Sequence, residues 1–147
     1  MFATRLVAPT IYEKLTTDPT ISAAIGDRAF STTTVPAGKA FPVALFYAEY
    51  SSYDGAIGTG LAGQLNMEQL RYTIRLICTG EDDTPILAAA EAQFAIFTKG
   101  RFDISVDGVH YTISTRANSE VPLNTLLEGT DFYTQLGTTY DVTVVRG

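Results

Sequence analysis

The segment from Leu70 to Thr79 alternates between apolar and polar side chains at every position except Ile77. Because successive side chains of a β-strand point to opposite faces of a sheet, this spacing predicts a strand with one apolar and one polar face. The apolar positions are Leu70, Tyr72, Ile74, Leu76 and Cys78, and the polar positions are Gln69, Arg71, Thr73, Arg75 and Thr79. This is the strongest strand prediction in the chain.

Three segments have helical patterns. The first is predicted from Ala3 to Thr17, with Pro9 acceptable in a first turn. Asp18-Pro19 then provides an N-cap followed by proline, and Gly26 is placed to end this short second helix. The same cap-and-proline signal predicts a third helix from Thr84 to about Thr98. Its body is apolar nearly all round, which predicts that it is covered on more than one side.

The remaining segments predict further strands and turns. Phe41 to Tyr53 is aromatic and aliphatic, as in a strand, and Asp107-Gly108 separates two alternating segments, as in a type I′ hairpin. Asn118 to Asp131 is predicted to be a loop, with a helical turn near Leu126-Leu127. A strand containing Tyr140 follows. The predicted fold class is α+β: a mostly antiparallel sheet packed against two main helices, with a long Gly-rich β-hairpin arm.

Length and charge limit the functions that are open to the chain. Its 147 residues fit one domain, residues 1–147, and the net charge is −6 with a pI of about 4.6. No cluster of Lys or Arg is present, so binding to nucleic acid or to anionic lipid is disfavoured, and any contact with DNA is expected to be passage only. Charged residues make up 18% of the chain, against about 25% in a typical domain, which indicates surface covered by partners.

The sequence predicts no catalytic centre, no cofactor and no metal site. Cys78 is the only cysteine and His110 the only histidine, so neither has the companion that a zinc site or a Cys/His pair needs. We predict a buried, inert thiol at Cys78 and a solvent-facing or interface side chain at His110. A lone cysteine fits a reducing compartment. No segment has the roughly 18 apolar residues that span a bilayer, so no membrane association is expected.

Glycines punctuate the segment between the two strands predicted around it. Gly58 to Gly63 matches the pattern G-x-G-x-x-G, which in dinucleotide-binding proteins precedes a helix that binds the pyrophosphate. Fewer than three turns of helix fit before the strand at Leu70, so we favour a long hairpin arm from Tyr53 to Gln64. Apolar side chains on and beside this arm would rest on another surface. The candidate contact residues are Tyr53, Ile57, Leu61 and Leu65.

Two groups of charged residues have more than one interpretation. Glu81, Asp82 and Asp83 are consecutive, so they are a weak metal site, and a solvated loop before the third helix is the simpler interpretation. Arg71 and Arg75 share the polar face of one strand. They form either an exposed ladder or pairs with the acidic residues of a neighbouring subunit.

The order of these elements resembles a protein family. The residues that carry the resemblance are Thr16-Thr17-Asp18-Pro19, Ile25-Gly26-Asp27-Arg28, Phe41-Pro42-Val43, Arg71-Tyr72-Thr73-Ile74-Arg75-Leu76 and Ala88-Ala89-Ala90-Glu91-Ala92. Over nearly its whole length the chain is similar to the tail-completion or tail-terminator proteins of bacteriophages with long, non-contractile tails. The resemblance implies a homo-oligomeric ring of six copies that caps the tail tube, stops its polymerisation and meets the head connector.

Further expectations follow from this resemblance. The protein would be a structural component of the virion, assembled in the host cytoplasm, with the tail tube protein and the head-completion or connector protein as partners. Arg71 and Arg75 would lie in contacts between subunits, and Glu81, Asp82 and Asp83 would line the lumen through which DNA passes. Two alternatives remain open: another ring component of the neck or head completion, and a small NAD-binding enzyme.

Overall fold

A computed structural model describes residues 3–53, 67–128 and 131–146. Its helices are α1 (Ala3–Thr17), α2 (Pro19–Ile25) and α3 (Thr84–Phe97). Its strands are β1 (Ala29–Phe30), β2 (Val43–Tyr53), β3 (Met67–Thr79), β4 (Lys99–Val106), β5 (Val109–Glu128) and β6 (Asp131–Arg146). The predicted α+β class, with a mostly antiparallel sheet packed against helices, is confirmed.

The strands of the described residues form one six-stranded sheet in the order β1-β2-β3-β6-β5-β4. Only the short β1–β2 pair is parallel, and every other neighbouring pair is antiparallel. After β3, helix α3 carries the chain to the far edge of the sheet, where β4 begins. The chain then returns through β5, and β6 fills the gap beside β3.

The helices cover one face of the sheet, which we call the helix face. All five apolar positions predicted in β3 are buried there, at 4% exposure or less. The buried cluster on this face includes Val7, Ile11, Leu15, Ile21, Ile25, Phe46, Leu70, Tyr72, Ile74, Leu76, Cys78, Ile86, Phe97, Ile113, Tyr140, Val142 and Val144. The alternation in the sequence therefore gave the correct inward side for this strand.

The predicted helix signals are present, with two corrections. The N-cap of α3 is Asp83, which makes no side-chain capping hydrogen bond, and not the predicted Thr84, which already lies in the helix. Asp18 Oδ1 accepts hydrogen bonds of 3.0 Å from the backbone N–H groups of Thr20 and Ile21, and Gly26 ends α2 at a φ of 61°. Pro9 does not lie in a first turn, because α1 already begins at Ala3. With no N–H to donate, Pro9 leaves one backbone acceptor of the preceding turn without its helical partner.

The hairpin prediction at Asp107-Gly108 is confirmed. These residues have φ values of 54° and 78°, the positive angles that a type I′ turn requires. Strand β2 begins at Val43 rather than at Phe41, directly after Pro42, whose ring nitrogen cannot donate to a neighbouring strand.

The predicted loop from Asn118 to Asp131, with its helical turn near Leu126-Leu127, is wrong. Residues up to Glu128 continue β5 and pair with β6, ending at the pair Glu128 and Asp131. The register shifts twice along this ribbon, once after Ala117 and once between Val121 and Asn124. Pro122 lies in the second shift, where a proline does not interrupt the hydrogen-bonded ladder.

Within residues 3–53, 67–128 and 131–146, the opposite face of the sheet is covered at one end only. There Val43, Leu45 and Ile77 form a second buried cluster under Phe30, Val35, Phe41 and Tyr133. The chain between β1 and β2 thus packs over the end of the sheet where β3 finishes. Beyond it, the polar side chains of β3, β6, β5 and β4 face outward, and we call this part the open face.

Candidate functional site

Helix α3 is covered on one side only within the described chain. Ile86, Ala89, Gln93 and Phe97 are buried, whereas Leu87 and Phe94 are 43% and 40% exposed. The exposed side of the helix has almost the same apolar character as the buried side. The predicted cover on its second side is therefore not supplied by the described residues of this chain.

A groove of about 320 Å³ runs between this exposed side and the β5–β6 ribbon. We call it the α3 groove. Its lining residues are Leu87, Ala90, Glu91, Gln93, Phe94, Glu120, Leu136, Gly137 and Thr138. Two carboxylates, Glu91 on the helix and Glu120 on the ribbon, are the charged groups of this lining, so the groove is apolar and acidic.

A buried polar pair fixes the floor of the α3 groove. Gln93 Nε2 donates a hydrogen bond of 2.6 Å to the hydroxyl of Tyr140, and each residue is 1% exposed. Burial raises the pKa of Tyr140 above its ordinary range, and it also raises the pKa of Tyr72. Both phenols are therefore neutral at physiological pH, and Gln93, the member of the pair that lines the groove, carries no charge.

The open face carries a row of charged residues across four strands. Arg71, Asp141, Arg116 and Lys99 stand opposite one another on β3, β6, β5 and β4. Arg71 Nε lies 3.3 Å from Asp141 Oδ1, and Asn118 Nδ2 donates to Asp141 Oδ2 at 2.9 Å. We call these four residues the basic row. It contains three cations and a single carboxylate.

Arg75 has several partners within its own chain. Its Nη1 donates to Gln135 Oε1 at 2.8 Å, and its Nη2 donates to the carbonyl of Thr33 at 3.1 Å. The guanidinium also lies 5.6 Å from the centre of the Tyr47 ring. Arg75 therefore ties the β1–β2 connection to the sheet. Pairing of Arg71 and Arg75 between subunits stays a prediction.

The three consecutive acids lie in the connection between β3 and α3. Asp82 Oδ1 accepts hydrogen bonds from the backbone N–H and the hydroxyl of Thr84, at 3.0 and 2.7 Å. These bonds lower the pKa of Asp82. Glu81 and Asp82 are exposed, and Asp83 is half-buried at the N-cap position. The acids directly precede α3, and their place in a lumen stays a prediction.

Cys78 and His110 differ in their exposure to solvent. Cys78 is 2% exposed and its Sγ donates to the carbonyl of Asp82 at 3.3 Å. Burial, reinforced by the charges of Asp82 and Asp83, raises the pKa of this thiol, as expected for an inert side chain. His110 is exposed, with its Nδ1 2.7 Å from Ser105 Oγ.

The predicted arm falls largely outside the described residues. Ile57, Leu61 and Leu65 are not described, and of Tyr53 only the backbone is, paired with Glu68 at the end of the β2–β3 ladder. Among the described residues, no three His, Cys, Asp or Glu side chains are grouped to hold a metal ion. In the same residues no helix has both the length and the apolar character needed to cross a bilayer.

Sequence reasoning missed the far wall of the α3 groove. Glu120 and Leu136 come together there because β5 and β6 pair over most of their length. One signal was present in the sequence: the dipeptide Gly129-Thr130 begins with glycine, as many two-residue hairpin loops do. The two register shifts and Pro122 hid the pairing, because they remove the regular alternation from the first strand.

No protein-family model and no curated protein matches this chain. Among solved structures, 18 chains match it. One of these is 14% identical, with a TM-score of 0.52, and the match covers 97% of this chain and 96% of that chain. The two proteins therefore share an arrangement of helices and strands over nearly their whole lengths, and an identity this low shows the fold alone.

Proposed function

We propose that this protein is a tail-terminator subunit of a bacteriophage with a long, non-contractile tail. Copies of the chain form a ring of six that caps the tail tube, stops its growth and joins the tail to the connector of the head. The protein acts by assembly and carries out no reaction. It works in the virion, with the tail tube protein and the connector as partners, after assembly in the host cytoplasm.

The exposed apolar side of α3 is the observation that carries this proposal. Leu87 and Phe94 keep two fifths of their surface in water although they belong to an almost wholly apolar helix. Burying such side chains fully stabilises a protein by about 1.5–3 kcal/mol each, so part of that gain is still available to a partner. In a ring, contact with the neighbouring subunit would bury these side chains and gain this free energy.

An acidic or neutral lumen would allow DNA to pass through the ring. Each phosphate contact made by Lys or Arg would add salt-dependent affinity for the duplex. A lumen wall of acidic and neutral groups would therefore let DNA slide. Glu81, Asp82 and Asp83 are our candidates for that wall. We expect no duplex binding by the purified ring at physiological salt, and micromolar binding would contradict passage.

Assembly of the purified protein tests the proposal directly. Sedimentation velocity and negative-stain electron microscopy are expected to show a closed ring of six copies with a central channel. Added to growing tubes of tail tube protein, the ring is expected to sit at one tube end and stop elongation there. A protein that stays monomeric at every concentration, or that leaves tube length unchanged, would overturn the proposal.

A matched pair of variants tests the role of α3. Phe94→Asp places a charge on the exposed side of α3 and is expected to abolish the ring. Tyr12→Asp is the control, because Tyr12 is an equally exposed aromatic residue, 41%, on α1. Both variants should unfold at nearly the wild-type temperature. If Phe94→Asp still forms the wild-type ring, the exposed side of α3 is not an interface.

A further inference from the structure

We infer that the α3 groove of one copy binds the basic row of the next copy. The inference rests on the proposed function and deepens it, because it names the two surfaces that meet in the ring. It rests on charge complementarity between two surfaces of the same chain. In a single copy, one surface has an excess of cations and the other an excess of carboxylates.

The basic row has an unbalanced charge. Lys99 and Arg116 stand directly opposite each other on β4 and β5, and both are exposed. Like charges placed opposite each other on neighbouring strands destabilise a sheet. Arg101, also exposed, adds a further cation on the same side of β4, and Asp103 beyond it adds one acid that accepts a hydrogen bond from Thr112, so cations remain in excess. Asp141 is the row's single acid and is already engaged by Arg71 and Asn118.

The α3 groove has the opposite charge. Residues 81–98, which include the whole helix, contain four acids and no Lys or Arg. Glu91 from the helix and Glu120 from the ribbon stand at the groove, and both are exposed. Carboxylates from this groove can face the guanidinium groups of Arg101 and Arg116, while Leu87 and Phe94 supply an apolar contact beside them.

The two surfaces lie on opposite sides of the sheet. Arg116 and Lys99 point away from the helices, whereas the α3 groove lies on the helix side, between α3 and the β5–β6 ribbon. A contact between them joins unlike surfaces of two copies, so it is a head-to-tail contact. The pair keeps one basic row and one α3 groove free for further copies. Head-to-tail contacts close into rings when the rotation per subunit allows it.

Two charge-reversal variants test the inference. Variant A is Arg101→Glu with Arg116→Glu, and variant B is Glu91→Lys with Glu120→Lys. Each alone places like charges across every contact, so the protein concentration needed for assembly should rise by about tenfold or more. In an equal mixture, A and B alternate, and every contact again joins opposite charges. The mixture should therefore form rings, because six is an even number.

Matched controls reverse the same number of charges elsewhere. Arg5→Glu with Arg146→Glu controls for A, and Glu13→Lys with Asp27→Lys controls for B; all four residues are exposed. These controls should assemble like the wild type, and circular dichroism should show all variants folded at the assay temperature. Sedimentation velocity measures assembly in each case, at low and at high salt. High salt should weaken assembly of the wild type and of the mixture, where opposite charges meet, and should partly restore assembly of A or B alone, where like charges meet.

The outcomes separate this inference from the proposed function. If the wild type forms rings and variants A and B do so equally well, the inference is wrong and the ring function stands. If A and B fail alone and assemble when mixed, but into open filaments like the wild type, the contact is supported and the capping ring is wrong. Failure of the mixture, with both single variants folded, overturns the pairing.

Discussion

The two faces of the sheet differ in how they are stabilised. On the helix face, side chains such as Ile74, Leu76 and Val144 are buried against α1, α2 and α3. On the open face, Arg71 and Asp141 form an ion pair in which each side chain is nearly half exposed. The first face gains stability from apolar area removed from water. The second contributes little stability, and its residues are free to serve contacts with other molecules.

This difference indicates that the residues of the open face can change with the least effect on folding. A substitution on the helix face changes packing and therefore the whole protein, whereas a substitution on the open face changes charge with a small effect on the free energy of unfolding. The α3 groove combines both properties, since its floor is a buried pair and its rim is exposed. Four predictions test the comparison.

The largest effect is expected from truncation on the helix face. Val144→Ala removes two methyl groups from a fully buried side chain and should lower the free energy of unfolding by about 2–3 kcal/mol, from lost burial and the cavity left behind. Its neighbour Val145 points to the other face and is 38% exposed, so Val145→Ala should cost less than about 0.5 kcal/mol. Urea unfolding measures both. Equal losses would remove the distinction between the faces.

A smaller effect is expected beneath the α3 groove. Tyr140→Phe leaves the buried amide of Gln93 without its acceptor and should lower the free energy of unfolding by about 1–3 kcal/mol. Adding Gln93→Leu removes the unpaired donor and should restore part of this loss. The measurement is urea unfolding of the single and double variants. A double variant less stable than Tyr140→Phe would show that packing, and not the hydrogen bond, sets the cost.

The ion pair of the open face should contribute still less. A double-mutant cycle on Arg71→Ala and Asp141→Ala is expected to give a coupling energy of about 0.2–1 kcal/mol, because both side chains are largely solvated. The coupling should shrink at high salt. A value well above that of exposed pairs, unchanged by salt, would mean that this face stabilises the fold as the helix face does.

The smallest effect on stability is expected for Asp82, in the connection between β3 and α3. The folded state lowers the pKa of Asp82 from 3.8 through its bonds from Thr84, so the stability it supplies is present above that value and is lost as the pH falls through the folded-state pKa. Asp82→Ala should therefore lower the melting temperature slightly at neutral pH and not in strong acid. Glu81→Ala is the control of equal charge. A difference that persists unchanged in acid would contradict the assignment.

Much of the fold follows from local signals in the sequence. Alternation in β3, the Asp18 and Thr84-Pro85 helix starts and the Asp107-Gly108 turn each act within a few residues, so their structural effect does not depend on distant partners. The continuation of β5 past Asn118 could not be predicted in this way. Its strand conformation depends on pairing with β6, across register shifts that conceal the alternation.

The candidate surfaces were harder to predict for the same reason. Arg71 and Asp141 are 70 residues apart in the chain, and Lys99 joins their row only through the register of three strand pairs. The two walls of the α3 groove likewise come from α3 and from a segment that was predicted to be a loop. Residue types indicated which side chains carry charge, but strand order decides which of them meet.

The place of β6 in the sheet also orders the steps of folding. It is the last of the described strands, yet it lies between β3 and β5, so the strand pairs β2–β3 and β4–β5 each keep an unpaired edge until β6 enters. Unpaired edges favour pairing with other chains. We expect refolding to be limited by the insertion of β6, and chains that lack this strand to aggregate through the free edges of β3 and β5.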